Sequence, residues 1–393
     1  MRTSKNNVVI FSWNLPRGGL PKVILKEYYY FQERKISPTI LTFEYPQGAY
    51  EEELSKTKLK ILNLNEMGKT KNVDLYYFFP DIDVTVRGTL LNDVILLNSY
   101  LREEDPSVVI SHQLLSAILI MPYCLIYRKA YVLILHDNPF LFFEKNGPSK
   151  GNIFGGLIRA FVYLTANLVI HKSKRTICTT AQIYDVVKRK LFLKDDMTIA
   201  EYGIDTTSEF VLGERKLLLT VSKWSKFRNP KAYVELLNFL PQNINLTMAG
   251  RWDSDVELKE FVEFVEKQGL SHRIKIIVDV PENELSKLYD ETRVFLRLGF
   301  GERGTGQAIL EALGHGCPVV ISKDLGASTI IEDGKQGFLV DENDLPRVAN
   351  KISMIFDDDN ILRSMVSESY DLSKRKGWNS YLETVFKAAM DFY

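Results

Sequence analysis

Short apolar runs rich in β-branched residues alternate with longer segments of helical period along this chain, and the alternation starts afresh near the middle. The first half carries VVIFSW from Val8, PTILTF from Pro38, SVVISH from Ser107, AYVLILHD from Ala130 and TICTT from Thr176. The second carries KLLLTVS from Lys216, INLTMAG from Ile244, RIKIIV from Arg273, RVFLRL from Arg293, PVVIS from Pro318 and GFLV from Gly337. Such runs belong to strands covered on both faces, and the helical segments between them are the crossovers that parallel strands need. The pattern predicts an α/β fold of two doubly wound units, residues 1–205 and 206–375, joined near EYGIDTTSEFVLGER. A chain of 393 residues is long enough for both, since one core seldom grows past roughly 250 to 300 residues. The last stretch, residues 376–393, reads as a helix with an aromatic face from Trp378, Tyr381 and Phe386, suited to docking back on the first unit.

A composition of 45% hydrophobic and 25% charged residues excludes the disordered, collagenous and disulfide-scaffold classes. Basic and acidic residues balance at 50 each, so no global charge draws the chain to nucleic acid, and none is expected as a partner. Residues 1–205 nevertheless hold 26 basic and 21 acidic side chains, against 24 and 29 in residues 206–393. A basic first half suits an anionic surface or ligand, although unselected scatter gives the same counts. Cys124, Cys178 and Cys317 are too widely spaced for a metal site and too few for a disulfide framework, which points to a reducing, cytoplasmic compartment. The apolar run in MRTSKNNVVIFSWNLPRGG is too short for a cleaved export signal.

Two stretches call for a membrane test. Residues 106–127 lack a formal charge, but a β-branched strand opens them and Pro122 interrupts the rest, so they read as a buried strand and helix. Residues 153–171 carry only Arg159 and are followed by Lys172, Lys174 and Arg175. An apolar helix ending in a basic cluster suits either a core position or peripheral contact with an anionic membrane face.

Ligands of open parallel sheets bind beyond the carboxyl ends of the strands. Four segments lie there. Arg17-Gly18-Gly19 separates the first strand from its helix, where paired glycines let backbone approach a phosphate or simply make a turn. His136 ends one strand and His112 its neighbour; a histidine at that edge can bond hydroxyl groups or carry a proton, while satisfaction by nearby backbone fits His112 better. TVSKWSKFRNP offers Lys223 and Arg228, two cations suited to a diphosphate. GFGERGTGQAILEALGHGCPVV places Gly304, Thr305, Gly306 and Gln307 at the start of a helix carrying Glu311. Backbone donors there suit a phosphate, and a carboxylate one and a half turns on suits a ribose diol. Asp81 with Asp83, and Asp253 with Asp255, have the D-x-D form of some nucleotide-bound metal sites, a pattern common by chance in such a chain; no metal is expected.

The last of these segments, continued through EALGHGCPVVIS and DLGASTIIEDGKQGFLV to the helix at Trp378, resembles the C-terminal signature of the family-4 glycosyltransferases. EYGIDTTSEF is similar to that family's linker, and LTVSKWSKFRNPKAYVEL falls at its phosphate site. The resemblance is strong over residues 199–393 and rests on Gly18-Gly19 and LILHD before that. It implies the GT-B fold, two Rossmann-like domains facing a cleft with the C-terminal helix returning to the first. It also implies retaining transfer of a sugar from a nucleoside-diphosphate donor of UDP or GDP type, with no other cofactor.

By this resemblance Lys223 and Arg228 become the diphosphate cations, Gly19 beside Gly18 the backbone that approaches the diphosphate, and Glu311 the ribose ligand. His136 stands near the transferred sugar, and Gly304 to Gln307 hold the distal phosphate and sugar. The chain departs from the family where a Glu is usual eight residues before Glu311: Arg303 stands there, with Glu302 one place earlier. Either Glu302 shifts onto the donor sugar as a catalytic carboxylate, or the donor differs, or activity is impaired. The expected enzyme transfers a hexose without a metal, to a sugar or a lipid-linked acceptor, at the cytoplasmic membrane face or free of it. The alternatives are a degenerate fold serving as a scaffold or regulatory subunit, and another GT-B-like enzyme acting on a nucleotide sugar, such as an epimerase.

Overall fold

The computed structural model describes residues 7–15, 19–43, 50–62, 72–74, 85–87, 90–140, 153–192, 196–207, 214–300 and 304–391. The chain divides into two compact units, Met1–Glu201 with Ser380–Tyr393, and Tyr202–Asn379. Sequence periodicity drew these borders at 205 and 376, a few residues inside the second unit in each case.

In the first unit the strands are β1 (Asn7–Phe11), β2 (Ser37–Thr42), β3 (Leu59–Ile61), β4 (Asn72–Asp74), β5 (Thr85–Arg87), β6 (Val108–His112), β7 (Ala130–Leu135), β8 (Arg175–Cys178) and β9 (Met197–Ile199). Seven of them form one parallel sheet in the order β3-β2-β1-β6-β7-β8-β9, while β4 and β5 pair antiparallel. The helices are α1 (Gly19–Glu33), α2 (Glu51–Ser55), α3 (Leu90–Glu104), α4 (Leu114–Tyr127), α5 (Ile153–Lys172) and α6 (Ala181–Lys190). Residues 106–127 thus resolve into β6 and α4, with Pro122 inside the helix. Among the described residues no helix is long and apolar enough to cross a membrane.

The second unit has β10 (Leu217–Val221), β11 (Leu246–Gly250), β12 (Ile274–Val278), β13 (Thr292–Arg297), β14 (Val319–Ser322) and β15 (Gly337–Val340), parallel in the order β12-β11-β10-β13-β14-β15. Around it run α7 (Pro230–Leu236), α8 (Asp255–Lys267), α9 (Glu282–Asp290), α10 (Gln307–Gly314), α11 (Leu345–Asp357) and α12 (Asp359–Arg375), followed by α13 (Asn379–Met390). Every strand that the apolar runs predicted is present. The additional strands β3, β4, β5 and β9 have three residues each, too few to show a period.

Burial explains the lack of alternation. Neighbours in sequence point to opposite faces of a strand, and both are buried in Val8 and Val9 of β1, Val108 and Val109 of β6, Val294 and Phe295 of β13, and Val319 and Val320 of β14. In each sheet the first strand lies between its sequence successor and a later strand: β1 between β2 and β6, β10 between β11 and β13. These are the points where the winding reverses, and the loops leaving the two strands diverge to open a crevice.

The aromatic stripe of the C-terminal segment is divided. Phe386 packs against Phe31 and Tyr30 of α1, with ring centroids 5.2 and 6.0 Å away. Trp378 stays with the second unit, 5.5 Å from the Tyr202 ring. There Gly203 is obligatory, because a Cβ would stand 2.3 Å from the Trp378 backbone nitrogen.

Candidate active site

In the first unit the switch point lies where β1, β6 and β7 end. Gly19 begins α1, and Gly18 lies outside the described residues. His136 follows β7 and is drawn into a chain of buried polar groups. Its Nε2 lies 2.8 Å from Nδ1 of His112, and the two rings meet edge to edge and nearly coplanar, with centroids 5.0 Å apart and planes within 4°. His112 Nε2 lies 3.0 Å from Oε2 of Glu27 on α1, and the Tyr381 hydroxyl on α13 donates to Glu27 Oε1 at 2.6 Å. Glu27 and His112 are fully buried. Burial, and secondly the adjacent His112, hold the His136 imidazole well below the ordinary histidine range. His136 is therefore neutral at physiological pH. Backbone satisfaction of His112, the bland sequence expectation, gives way here to a carboxylate and a second imidazole. Glu27 was missed because an acidic residue on a helix is usually solvated, and Tyr381 stood in the sequence only as part of an aromatic packing face.

In the second unit the loops leaving β10 and β11 are stitched together. Ser222 N donates to Ala249 O at 3.1 Å, Trp224 N to Arg251 O at 2.6 Å, and the Trp224 indole to Ala249 O at 3.0 Å. Gly250 adopts φ +124°, and a Cβ there would stand 1.9 Å from Ser222 O. The loop so fixed carries Lys223, whose ammonium meets Asp253 at 3.2 Å. Arg228 closes a 3₁₀ turn, Lys226–Arg228, and Asn229 at φ 45° turns the chain into α7.

Asp253, Ser254 and Asp255 have local duties. The Ser254 hydroxyl caps α8 by accepting from Glu257 N at 3.1 Å, Asp255 sits in the first turn where negative charge is favoured, and Asp253 faces Lys223. Asp81 and Asp83 lie outside the described residues.

The loop after β13 forms the other wall of this crevice. Arg297, the last residue of β13, is 4% exposed and donates from Nη1 to Ser222 Oγ at 2.8 Å. A third cation thus underlies the Lys223 loop. Its sequence signal was the second arginine of RVFLRL. Glu302 and Arg303 lie outside the described residues.

Gly304 O accepts from Gly326 N at 3.1 Å, and Gly306 at φ 69° caps α10 with no side-chain bond of its own. Thr305 is 6% exposed, yet neither its hydroxyl nor the buried Gln307 Nε2 has a hydrogen-bond partner among the described residues. Burying such groups unpaired costs about 1 to 3 kcal/mol each, and here they flank a helix N-terminus, where backbone amides and the helix dipole favour an anion. Glu311, one and a half turns on, accepts from the buried Tyr289 hydroxyl at 3.1 Å. Tyr289, which sequence reasoning missed, fixes the carboxylate expected to meet a ribose.

Two doubly wound parallel units, each with polar side chains gathered at its switch point, are the architecture of the GT-B glycosyltransferases. The structure of Anabaena HepE in complex with UDP and glucose has this fold, with a TM-score of 0.73 and 15% sequence identity over 98% of this chain and 100% of that one. Residues 17–208 match the family described as Glycosyltransferase Family 4, and residues 206–371 match Glycosyl transferases group 1. The chain belongs to the family-4 glycosyltransferases. Among curated relatives, spore coat protein SA of Bacillus subtilis is 24% identical over 146 residues, 36% of this chain and 39% of that protein. D-inositol 3-phosphate glycosyltransferase of Corynebacterium diphtheriae is 26% identical over 150 residues, 37% of this chain and 35% of that protein. The chain thus spans less than two fifths of the length of either.

Proposed function

We propose that this chain is a retaining, metal-independent hexosyltransferase that uses a nucleoside-diphosphate sugar of UDP or GDP type. The observation that carries this reading is the pair of buried, unpartnered polar groups on Thr305 and Gln307 at the start of α10, in a unit that also supplies Lys223, Arg228, Arg297 and Glu311. A diphosphate would satisfy the former groups and the cations, and a ribose diol would bond Glu311. Negative charge grows on the departing diphosphate in the transition state, so preorganised cations and amides supply most of the acceleration. His136 would bond a hydroxyl of the transferred sugar, Gly18 and Gly19 would bring backbone to the diphosphate, and Glu302 would be the carboxylate at the donor sugar. The complexes of Anabaena HepE with UDP and with UDP-glucose support a nucleotide-sugar donor.

Thermal unfolding with UDP, GDP, ADP, TDP and their sugars, with and without EDTA, tests this reading. A ligand at 100 times its Kd adds about 2.7 kcal/mol. A rise with one nucleotide that survives EDTA supports the reading and names the base. No rise with any of them favours the scaffold alternative. The anomeric configuration of the product then checks the retaining course.

For the acceptor we propose a lipid-linked sugar at an anionic membrane surface. Leu164 and Leu168 on α5 and Phe192 after α6 are exposed, and Phe192 N bonds Asn167 Oδ1 at 3.0 Å, which sets the phenylalanine beside α5. Lys172, Lys188 and Arg189 end these two helices. Apolar residues rimmed by cations complement an anionic headgroup layer. Co-sedimentation with phosphatidylglycerol vesicles should weaken at least tenfold in the Leu164→Ser, Leu168→Ser, Phe192→Ser variant; unchanged partitioning removes the membrane from the proposal.

A further inference from the structure

The hydrogen-bonded chain behind His136 has a polarity that a packing role does not explain. Glu27, His112 and Tyr381 come from α1, the end of β6 and α13, and all three are buried. Taking a carboxylate, an imidazole and a phenol out of water is costly, and an apolar trio of the same volume would pack without that penalty. Here the groups are bonded in series: the Tyr381 hydroxyl to Glu27 Oε1, Glu27 Oε2 to His112 Nε2, and His112 Nδ1 to His136 Nε2. A carboxylate only accepts, so the Glu27 contact places a proton on His112 Nε2. The His112 Nδ1 bond then engages Nε2 of His136 and fixes the plane of its ring, which the 4° angle between the two nearly coplanar rings reflects.

We infer that Tyr381, Glu27 and His112 are positioning residues that set the tautomer and ring orientation of His136. The inference rests on the glycosyltransferase reading only for what His136 then does. One hydrogen bond aimed wrongly at a reacting group costs a rate enzyme far more than it costs a fold, because misplacement by about 1 Å can lose about a hundredfold in rate. Tyr381 gives α13 a part in this: the anchor of the relay lies 354 residues from the carboxylate it holds.

The test uses two readouts on the full chain. The first needs no activity. The protein has five histidines, so ¹⁵N-histidine labelling resolves each imidazole. His136 should show one fixed tautomer in the wild type, and Tyr381→Phe or Glu27→Gln should convert it to an averaging pair of tautomers while the other histidines outside the relay keep their shifts. An unchanged His136 signal in both variants overturns the inference.

The second readout is a double-mutant cycle on transfer. Tyr381→Phe and Glu27→Gln should each lower kcat by about tenfold to a hundredfold with KM for the donor within about threefold, and should cost almost nothing more in a His136→Ala background. Equal losses in both backgrounds mean a structural role and overturn the inference. Should the wild type transfer no sugar, the proposed function falls, while the tautomer measurement still decides the relay. Tyr381→Phe keeps the ring in its packing, so a folded variant is expected where Glu27→Gln fails to fold.

Discussion

Replacing Gly314 by alanine sets helix propensity against packing, and the structure decides the sign. Gly314 is the last residue of α10, where alanine should stabilise by roughly 0.8 to 1.0 kcal/mol on propensity alone. An added Cβ, however, would stand 2.1 Å from Asp205 O, and contacts under 3.0 Å are essentially never tolerated, so the linker must retreat by about 0.9 Å. That retreat breaks two bonds to Gly314 O, from Thr207 N at 3.3 Å and Thr207 Oγ1 at 3.2 Å. At about 0.5 to 1.5 kcal/mol for each of the two bonds, with about 1 to 3 kcal/mol for overpacking and the propensity gain set against them, the net destabilisation is about 1 to 5 kcal/mol. For a unit the size of Tyr202–Asn379 each kcal/mol moves Tm by about 2 to 4 °C, so calorimetry should show its transition lowered by about 2 to 20 °C. Gly377→Ala, whose Cβ meets nothing within 4 Å, is the control and should leave Tm nearly unchanged. A Gly314→Ala protein as stable as the wild type would refute the packing argument.

Three further predictions concern the site. Lys223→Ala combined with Arg228→Ala should abolish transfer while circular dichroism and Tm report an intact fold; unchanged turnover would remove both cations from the mechanism. Tyr289→Phe releases the Glu311 carboxylate and should weaken nucleoside-diphosphate binding by about tenfold, the worth of one hydrogen bond to a charged group, as titration calorimetry would show. His136 is held below its ordinary value of 6.5 in the folded protein, so below that pH the unfolded chain binds a proton the native state refuses. Stability should then fall as pH drops from about 6.5, by up to ~1.4 kcal/mol per unit, and urea titrations of His136→Gln should show a shallower slope.

Much of this arrangement could be read from local pattern. Strands buried on both faces leave a continuous apolar run, and a parallel sheet directs attention to the residue after each strand, which is how His136, Lys223 and the Gly304 to Gln307 turn came forward. What stayed hidden depends on contacts between elements remote in sequence. Glu27 lies within PKVILKEYYYFQE and has the look of a solvated helix position; only the approach of α13 and the end of β6 buries it. Tyr289 and Arg297 are similar cases, since their partners, Glu311 and Ser222, lie on other elements. Gly203 and Gly314 stood in recognisable motifs, but their reason, a backbone passing too close for a Cβ, needs coordinates.

The return of α13 to the first unit also has a bearing on time. A ribosome adds about 5 to 20 residues per second, so the 354 residues between Glu27 and Tyr381 take on the order of tens of seconds to emerge. Throughout that interval the nascent first unit lacks the phenol for a buried carboxylate and the ring of Phe386 that covers Phe31. The second unit must therefore be made while the first waits incomplete, which leaves the rings of Tyr30 and Phe31 on α1 without their Phe386 cover during synthesis.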